Sequence, residues 1–429
     1  MNTSPLRPQT LAQKLIARAA GRSHVAVGEV VTCNVDLAMF HDSSGPRRLK
    51  PMLDELGAEI WDKNKVVLVL DHYVPAQDAD AQQIVQITRD TAKQWKLPHV
   101  IDSEGICHVV LPERGHLKPG MFCVGGDSHS PTGGAFGCYM FGIGATEMLG
   151  VCVTGQIWVQ VPRTLRMHWS GRLQHGVSAK DMMLHMVGRF GMNGGQYQAV
   201  EFAGSAVQAL SMAERMTLSN MSAEMGAQAG LIAADETTLS HLRGIGVAPE
   251  HLAGAEQWFT DTDADYEQQD FDASTLSPQV AAPHSPANTR DVAEFADVSP
   301  SIAYIGACTG AKLEDLQAAA RGIDAGQGHV DTLGRQLLGE QGLLKHGFAG
   351  IQGVLHLILG SIDQGASLRT LFGRQLAQSL HQGGQFAFLA KVLNPELFQG
   401  IDIFTSLHGL ERLRDQCIQI FHLQTPDTK

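Results

Sequence analysis

The chain has 429 residues, of which 44% are hydrophobic and 6% aromatic, and its formal net charge is −12. This length predicts two or three packed lobes rather than one core. The acidic balance argues against a nucleic-acid-binding protein, and no apolar run reaches the roughly 18 residues of a membrane span. Seven cysteines, an odd number at scattered spacing, argue against a disulfide framework and predict a reducing, cytoplasmic setting.

The first part of the chain alternates strand patterns with helix patterns. Residues 65–71 form an apolar, β-branched run that is typical of a buried parallel strand. A helical spacing follows at residues 80–96, and further strands are predicted at 97–102 and 120–125. This alternation predicts a parallel α/β sheet, in which ligands bind beyond the carboxyl ends of the strands.

The elements continue with less regular patterns toward residue 322. A helix is predicted from Ala145, a strand at residues 161–170, and a helix that begins after Ser178, with Asp181 as the acid of its capping box. The small residues at 218–229 favour another helix. Residues 261–300 are acidic and contain several prolines, which is typical of a linker, and a strand at 301–306 and a helix from Leu313 are expected after it.

Four places in the chain carry residues that could do chemistry. They are the Asp71-His72 pair after a predicted strand, His108, the Asp127-Ser128-His129 turn between glycines, and Cys308 at a predicted strand end. Each also has an ordinary reading. Asp71-His72 could be a turn pair, His108 a core histidine and Cys308 a buried thiol. The glycine-flanked turn is harder to explain without a ligand, since such turns let a ligand approach the backbone.

The order and context of these motifs together carry a specific resemblance. The strings are LDHYVPAQD, GICHVVLPE, GDSHSPTGGAFG, NMSAEMGA and IGACTGAKLEDL, in that order along the chain. The chain resembles the aconitase superfamily, and within it the large subunits of isopropylmalate, homoaconitate and methylmalate-type dehydratases, from about residue 10 to 322. The resemblance implies an α/β fold with parallel-sheet lobes around a central cleft and, in this chain, an incomplete third lobe.

The resemblance also implies a chemistry and assigns residues to it. Members dehydrate a hydroxy acid on a [4Fe–4S] cluster whose fourth iron is a Lewis acid, with Asp-His pairs handling the hydroxyl proton. Asp71-His72 matches the first such pair, Asp127 and His129 match the second, and His108 and Glu224 match a third pair that folding brings together. Ser128 and Asn220 match polar groups beside the cluster or substrate, and Cys308 matches the first cluster cysteine.

The sequence departs from the family after residue 322. The family's second and third cluster cysteines lie in a Cys-x-x-Cys pair, which occurs nowhere in this chain, and the only later cysteine is Cys417. The other two ligands are therefore not identifiable, and the spacing of Cys107 and Cys123 is too wide to favour them. A shifted reading frame near residue 322, a divergent member without a cluster, and a tail with unrecognised ligands all stay open. The predicted division is 1–260 for the lobes, 261–300 for the linker, 301–322 for the start of the next lobe and 323–429 for a divergent tail.

Three functions remain possible at this point. The first is a hydro-lyase large subunit acting on a malate-type hydroxy acid such as 3-isopropylmalate, with a separate small subunit that supplies the swivelling domain. The second is a catalytically impaired or frameshifted paralogue, and weak or no activity is expected of the chain as written. The third is an enzyme that binds a divalent metal through His72, His108, His129 and Asp127, with a Cys308 nucleophile as a variant. Neither nucleic acid nor membrane is expected as a partner.

Overall fold

The computed structural model describes residues 7–298 and 303–325. Of the two compact units into which the chain divides, the first contains the described residues 7–298 and 304–316, and the second contains residues 303 and 317–325. Most of the predicted tail at 323–429 lies outside the described residues. Among the described residues, no helix is long and apolar enough to cross a membrane.

The described residues form thirteen strands and ten α-helices. The strands are β1 (Val30–Asn34), β2 (Leu37–His41), β3 (Val66–Leu70), β4 (His99–Asp102), β5 (Phe122–Gly125), β6 (Tyr139–Gly142), β7 (Gln156–Gln160), β8 (Thr164–Ser170), β9 (Ala199–Ala203), β10 (Ala229–Leu231), β11 (Glu267–Asp272), β12 (Gln279–Ala281) and β13 (Thr289–Asp291). The helices are α1 (Leu11–Ala19), α2 (Pro46–Leu56), α3 (Ala79–Trp95), α4 (Cys107–Glu113), α5 (Ala145–Thr154), α6 (Ala179–Phe190), α7 (Ser205–Gln208), α8 (Met212–Met221), α9 (Glu236–Gly244) and α10 (Leu313–Ala325).

Two parallel sheets organise the first unit, which confirms the predicted fold class. The first sheet has the order β4-β3-β2-β5-β6, and the second has the order β10-β9-β8-β11. All neighbours within each sheet run parallel. In the first sheet the strand order reverses between β2 and β5, and such a reversal is the place where open α/β sheets bind ligands.

The central strand β3 shows why this sheet is buried on both faces. Leu68 and the residues two positions before and after it pack into the core on one face of the sheet. Val67 and Val69 pack into the core on the other face. All five residues of β3 are fully buried. Each such side chain contributes about 1.5–3 kcal/mol through its removal from water. The apolar run at 65–71 is therefore a buried parallel strand, as the sequence predicts.

Most predicted elements of this unit are confirmed, including the start of α6. Asp181 Oδ2 accepts hydrogen bonds from Ser178 N at 2.7 Å and Ser178 Oγ at 2.8 Å, and the helix begins at the next residue. The helix predicted over 218–229 is wrong in its second half, because α8 ends at Met221 and Ala229 already belongs to β10. Gly226 has φ +71°, a left-handed conformation that ends a helix.

The segment predicted as a linker is partly structured. Within 261–300, β11 pairs in parallel with β8 and forms the edge of the second sheet, and β12 and β13 form a small antiparallel ribbon. The polar residues of β11 can form a strand because β11 lies at the edge of the sheet, where most of its side chains are exposed. Phe271 is the one buried residue of this strand. No strand forms at residues 303–306, and 301–302 lie outside the described residues. The domain boundaries themselves stay a prediction.

Candidate active site at the strand ends of the first sheet

The carboxyl ends of three adjacent strands bring the predicted site residues together. Asp71 and His72 follow β3, His41 ends β2, and Asp127 follows β5 after one further glycine. Because these strands are parallel neighbours, their ends meet at one edge of the sheet, at the reversal of strand order. The site therefore arises from the topology of the first sheet rather than from proximity in sequence.

The carboxylate of Asp127 is the centre of the site. Its Oδ1 accepts hydrogen bonds from His108 Nε2 at 2.6 Å and from the backbone N of His129 at 2.7 Å. Its Oδ2 lies 3.4 Å from His41 Nε2 and 3.7 Å from His72 Nε2. Burial alone would raise the pKa of Asp127, but hydrogen bonds from the four histidines outweigh it and hold that pKa well below its usual range. The carboxylate is ionised at neutral pH.

His72 is held between two carboxylates. Its Nδ1 lies 2.7 Å from Asp71 Oδ1, and its Nε2 faces Asp127. Donation from its ring N–H groups, first to Asp127 and then to Asp71, raises the pKa of His72 to about 10, against the opposing effect of burial. Asp71 is fixed in turn, since its Oδ2 accepts the backbone N of Cys107 at 2.6 Å, at the first residue of α4. His72 is therefore an imidazolium at neutral pH.

His129 is the second imidazolium. Its Nε2 lies 3.1 Å from Glu224 Oε1, and Ser128 Oγ lies 3.2 Å from its Nδ1. The hydrogen bonds with Asp127 and then with Glu224 raise the pKa of His129 to about 10. Glu224 follows α8 and has one buried oxygen, Oε2, that has no hydrogen-bond partner among the described residues. Both imidazoliums can donate a proton to a ligand, because each carries one at neutral pH.

The structure pairs two of these residues differently from the sequence prediction. His108 was expected to pair with Glu224, but its Nε2 contacts Asp127, and Glu224 contacts His129 instead. The reason is the packing of separate elements. His108 of α4 reaches Asp127, while Glu224 follows α8 and contacts Nε2 of His129, whose Nδ1 faces Asp127. His108 is also 5% exposed, so it supports Asp127 from beneath.

His41 and Asp42 belong to the site and were missed in the sequence analysis. The His41 ring stacks on the His72 ring, with 3.7 Å between centroids and 11° between planes. His41 Nδ1 accepts the backbone N of Ser43 at 3.2 Å, so its Nε2 carries the hydrogen that faces Asp127. Asp42 accepts the backbone N of His72 at 3.1 Å. Their position in the chain was the available signal, because Asp42 directly follows β2 as Asp71 directly follows β3, and His41 is the last residue of β2.

A cavity of about 370 Å³ opens above these side chains. It combines the charged groups of the site with apolar side chains and with the turn that contains Cys308. The lining residues are Asp71, His72, Val74, Ile106, Cys107, His108, Asp127, His129, Tyr304, Ile305, Gly306, Ala307, Cys308, Ala311 and Leu316. The cavity is large enough for a small organic acid and carries no lysine or arginine among its described lining residues.

The turn around Cys308 is attached to α8. Cys308 Sγ lies 3.6 Å from Asn220 Oδ1, and Asn220 Nδ2 donates to Thr132 Oγ1 at 2.8 Å. Asn220 is fully buried, so its amide is fixed in orientation. Asn220 and Cys308, predicted separately from the sequence, are thus in contact on one side of the cavity.

Comparison with known proteins agrees with this geometry. The model of the aconitase family, described as aconitate hydratase, matches residues 13–300, which is more than half of the chain. The chain belongs to the aconitase family. The resemblance found in the sequence is confirmed, and with it the assignment to a family of hydro-lyases.

Two named large subunits are similar to this chain. The chain is 40% identical over 329 residues to 3-isopropylmalate dehydratase large subunit 1 of Methanopyrus kandleri, covering 76% of this chain and 77% of the relative. It is 37% identical over 330 residues to the probable methanogen homoaconitase large subunit of Methanothermobacter thermautotrophicus, covering 75% and 76%. A solved structure, aconitase X of Thermococcus kodakaraensis, is similar at 11% identity and a TM-score of 0.33 over 56% of this chain and 57% of its own, which is too distant to add to the assignment.

The cysteines of this aconitase-family chain do not fit the [4Fe–4S] cluster that the resemblance implies. Among the described residues only Cys308 is partly exposed at the cavity, whereas Cys33, Cys123, Cys138 and Cys152 are buried in the cores of the unit. Cys107 lines the cavity, but burial and then the charges of Asp71 and Asp127 raise the pKa of its thiol well above the usual value. A neutral thiol is a poor ligand for iron. Cys417 lies outside the described residues.

The arrangement of the histidine and aspartate side chains at the strand ends does not favour a divalent metal site either. Among the described residues, one group of ligand atoms lies within 4.8 Å of one another, and it comprises His41, Asp42, Asp71 and His72. The parallel stacking of His41 on His72 directs their ring nitrogens side by side rather than toward a common point. Both oxygens of Asp42 accept backbone N–H groups, at 3.1 and 2.8 Å. The set expected from the sequence, His72, His108, His129 and Asp127, is a different one, and metal binding through it stays a hypothesis.

Proposed function

We propose that the chain is the large-subunit component of a hydro-lyase that removes water from a malate-type hydroxy acid. The observation that carries the proposal is the ionised Asp127 between two imidazoliums, His72 and His129, at the floor of the cavity. Loss of a hydroxyl group as water requires a proton donor close to that oxygen, and two such donors face the same space. The family membership of the chain and the names of its relatives support the same reaction class.

The proton steps can be written for the residues of this chain. His129 or His72 gives its proton to the leaving hydroxyl, so that the carbon–oxygen bond breaks and water leaves. The neighbouring carbon gives up its proton to a base, and the electron pair of that carbon–hydrogen bond forms the double bond. Asp127, Asp71 and Glu224 keep the imidazoles charged before the step. Afterwards the neutral imidazole takes up a proton from water, and the base releases to water the proton that it took from carbon. No oxidation or reduction takes place.

The cavity favours a hydroxy acid with an alkyl substituent. Val74, Ile106 and Ile305 line the cavity beside the charged residues, and such side chains favour contact with apolar groups. 3-Isopropylmalate, the substrate implied by the name of the most similar relatives, has such a substituent, and methylmalate or dimethylmalate would also fit this description. We propose substrates of this class without choosing among them.

The lack of lysine and arginine in the described cavity lining supports a partner subunit that supplies positive side chains. The described lining carries no lysine or arginine, although a malate-type substrate has two carboxylates. Relatives are named large subunits, and a small subunit that supplies arginines and a serine base would complete the site. We propose such a partner and a cytoplasmic setting, in which the free cysteines stay reduced.

A second candidate function is favoured by the cysteines. With Cys308 as the single partly exposed thiol of the described residues, the protein would keep the proton-handling residues but dehydrate weakly or not at all. Iron and acid-labile sulfide, measured per full chain after anaerobic reconstitution, separate the two. Close to four irons that are lost in Cys308→Ala would favour the active hydro-lyase. Little iron, together with no dehydration of 3-isopropylmalate in the presence of a small subunit, would favour the impaired form.

A further inference from the structure

The segment from residue 304 to 316 is attached to one face of α8. Thr217 and Asn220 are three residues apart on this helix and therefore point to the same side. Asn220 contacts Cys308, and Thr217 Oγ1 accepts a hydrogen bond from Lys312 Nζ at 3.1 Å. The helix thus holds this segment at two points, one at the thiol and one four residues later.

Lys312 is an unusual anchor because its ammonium group is buried. The residue is 6% exposed, and its Nζ lies 2.8 Å from Asp315 Oδ2 in addition to its contact with Thr217. Asp315 Oδ2 also accepts the backbone N of Lys312 at 3.0 Å. Burial of an ammonium is unfavourable unless its partners are well placed, so the position of this side chain is narrowly defined.

Two other contacts of residues 304–316 are weaker, because they are exposed to solvent. Lys180 Nζ contacts Thr309 Oγ1 at 3.4 Å, and Ser211 Oγ donates to Glu314 Oε2 at 2.5 Å, both in solvent-exposed positions. Exposed contacts of this sort contribute little. Next to Cys308, Ala307 has φ +62°, a left-handed conformation that a non-glycine residue keeps only where its surroundings hold it.

We propose that Lys312 is a positioning residue of the candidate site, which fixes the Cys308 turn against α8 so that the thiol forms one wall of the cavity. The proposal deepens the proposed function, on which it rests, by naming what holds that wall. Lys312 itself does not line the cavity and acts through the turn. The salt bridge to Asp315 and the hydrogen bond to Thr217 fix the position of Lys312. The chain segment between Lys312 and Cys308 is short, so the turn that contains Cys308 is fixed as well.

The reactivity of the Cys308 thiol measures the position of the turn directly. The full chain carrying Cys417→Ser leaves Cys308 as the one partly exposed thiol of the described residues, since the other five are buried. The rate of its alkylation by iodoacetamide is compared between this protein and the same protein with Lys312→Met, Lys312→Arg or Thr217→Val. Lys14→Met is the matched control, because it removes a lysine that pairs with Asp261 in a different part of the unit.

We expect Lys312→Met to alkylate about tenfold faster or more, because the turn loses a charge-assisted hydrogen bond that holds it. Lys312→Arg restores slow alkylation, and Lys14→Met leaves the rate unchanged. Equal rates for Lys312→Met and the parent would overturn the proposal. So would an equally fast Lys312→Arg, since packing volume rather than the positive charge would then explain the effect.

Thr217→Val decides the case if Lys312→Met does not fold. It removes the acceptor from α8 at nearly constant volume, and faster alkylation supports the proposal, while an unchanged rate contradicts it. Thermal unfolding is followed in parallel, and the midpoint should change little in any variant that supports the proposal. Alkylation requires no turnover, so absence of dehydratase activity would count against the proposed function and leave this test intact.

Discussion

Replacement of Asp127 by asparagine should change how the stability of the protein depends on pH above neutrality. The pKa of His129 is raised from 6.5 to about 10 in the folded state, first by Asp127 and then by Glu224. Because the folded pKa is the higher one, this stabilisation is complete below pH 6.5 and is lost as pH rises toward 10. Asp127→Asn removes the main cause, so the loss of stability with rising pH should become shallower.

The size of the effect follows from the number of protons involved. One extra proton bound by the folded state gives a slope of about 1.4 kcal/mol per pH unit, which is about 3 kcal/mol between pH 7 and 9. His129 is 31% exposed, and His72, at 38%, adds less because solvent screens its charge. In Asp127→Asn we expect less than half of the slope to remain.

Urea unfolding of the full chain at pH 7, 8 and 9, followed by tryptophan fluorescence, measures this slope. Buried thiols also favour unfolding at alkaline pH in both proteins, so the difference between the two slopes is the quantity of interest. Asp102→Asn is the control, since Asp102 pairs with Arg89 at 2.7 Å and with Ser103 rather than with a histidine. Parallel slopes for Asp127→Asn and wild type would refute the assignment of His129 as an imidazolium held by Asp127.

Three further predictions concern the fold. Arg215→Met should destabilise the protein by about 1–3 kcal/mol in urea unfolding, because the fully buried guanidinium pairs with Asp235 at 2.5 and 2.7 Å and also donates to the carbonyl oxygens of Leu210 and Gln208, which lose their donor. Gly134→Ala should prevent normal folding, as judged by loss of the cooperative thermal transition, since its Cβ would lie 1.8 Å from the carbonyl oxygen of Gly230. His116→Gln should reduce the loss of stability that occurs as pH falls from 6.5 to 4 in urea unfolding. Burial lowers the pKa of His116 to about 4, so the unfolded state binds the proton at a higher pH than the folded state does. An unchanged loss of stability over this pH range would contradict the prediction.

Three of the five strands of the first sheet, β3, β4 and β5, were predicted, and β3 shows why. Residues 66–70 are apolar at every position, and a parallel strand buried on both faces requires that pattern. The edge strand β11 was not predictable in the same way, since five of its six residues are polar or acidic and its pairing with β8 is a property of the second sheet. A local sequence cannot show that a neighbour elsewhere in the chain will bind its backbone.

The members of the site were predictable, but not their partners. Asp71, Asp127 and His129 stand beside strand ends and glycines, which is a local signal that a sequence carries. Which carboxylate meets which imidazole depends on the distance between α4, α8 and the β5 turn, and that distance is set by packing alone. His41 was missed for the same reason. Its place in the site comes from stacking on His72, which follows the neighbouring strand, and a local sequence does not show that contact.

The arrangement of charges separates two parts of the chemistry that the family resemblance implies. The proton donors and the carboxylates that charge them come from strand ends of one sheet, from α4 and from the turn after α8, all within residues 41–224, and they contact one another in this chain. Cluster binding would need three thiolates, and one partly exposed thiol, Cys308, is present among the described residues. The proton-handling part can therefore fold and carry its charges without the cluster. The alkaline stability slope that depends on Asp127 should then be nearly the same in Cys308→Ala as in the parent protein, because Cys308 is the last and smallest of the causes that raise the pKa of His129. A slope that fell as far in Cys308→Ala as in Asp127→Asn would show that the two parts depend on each other.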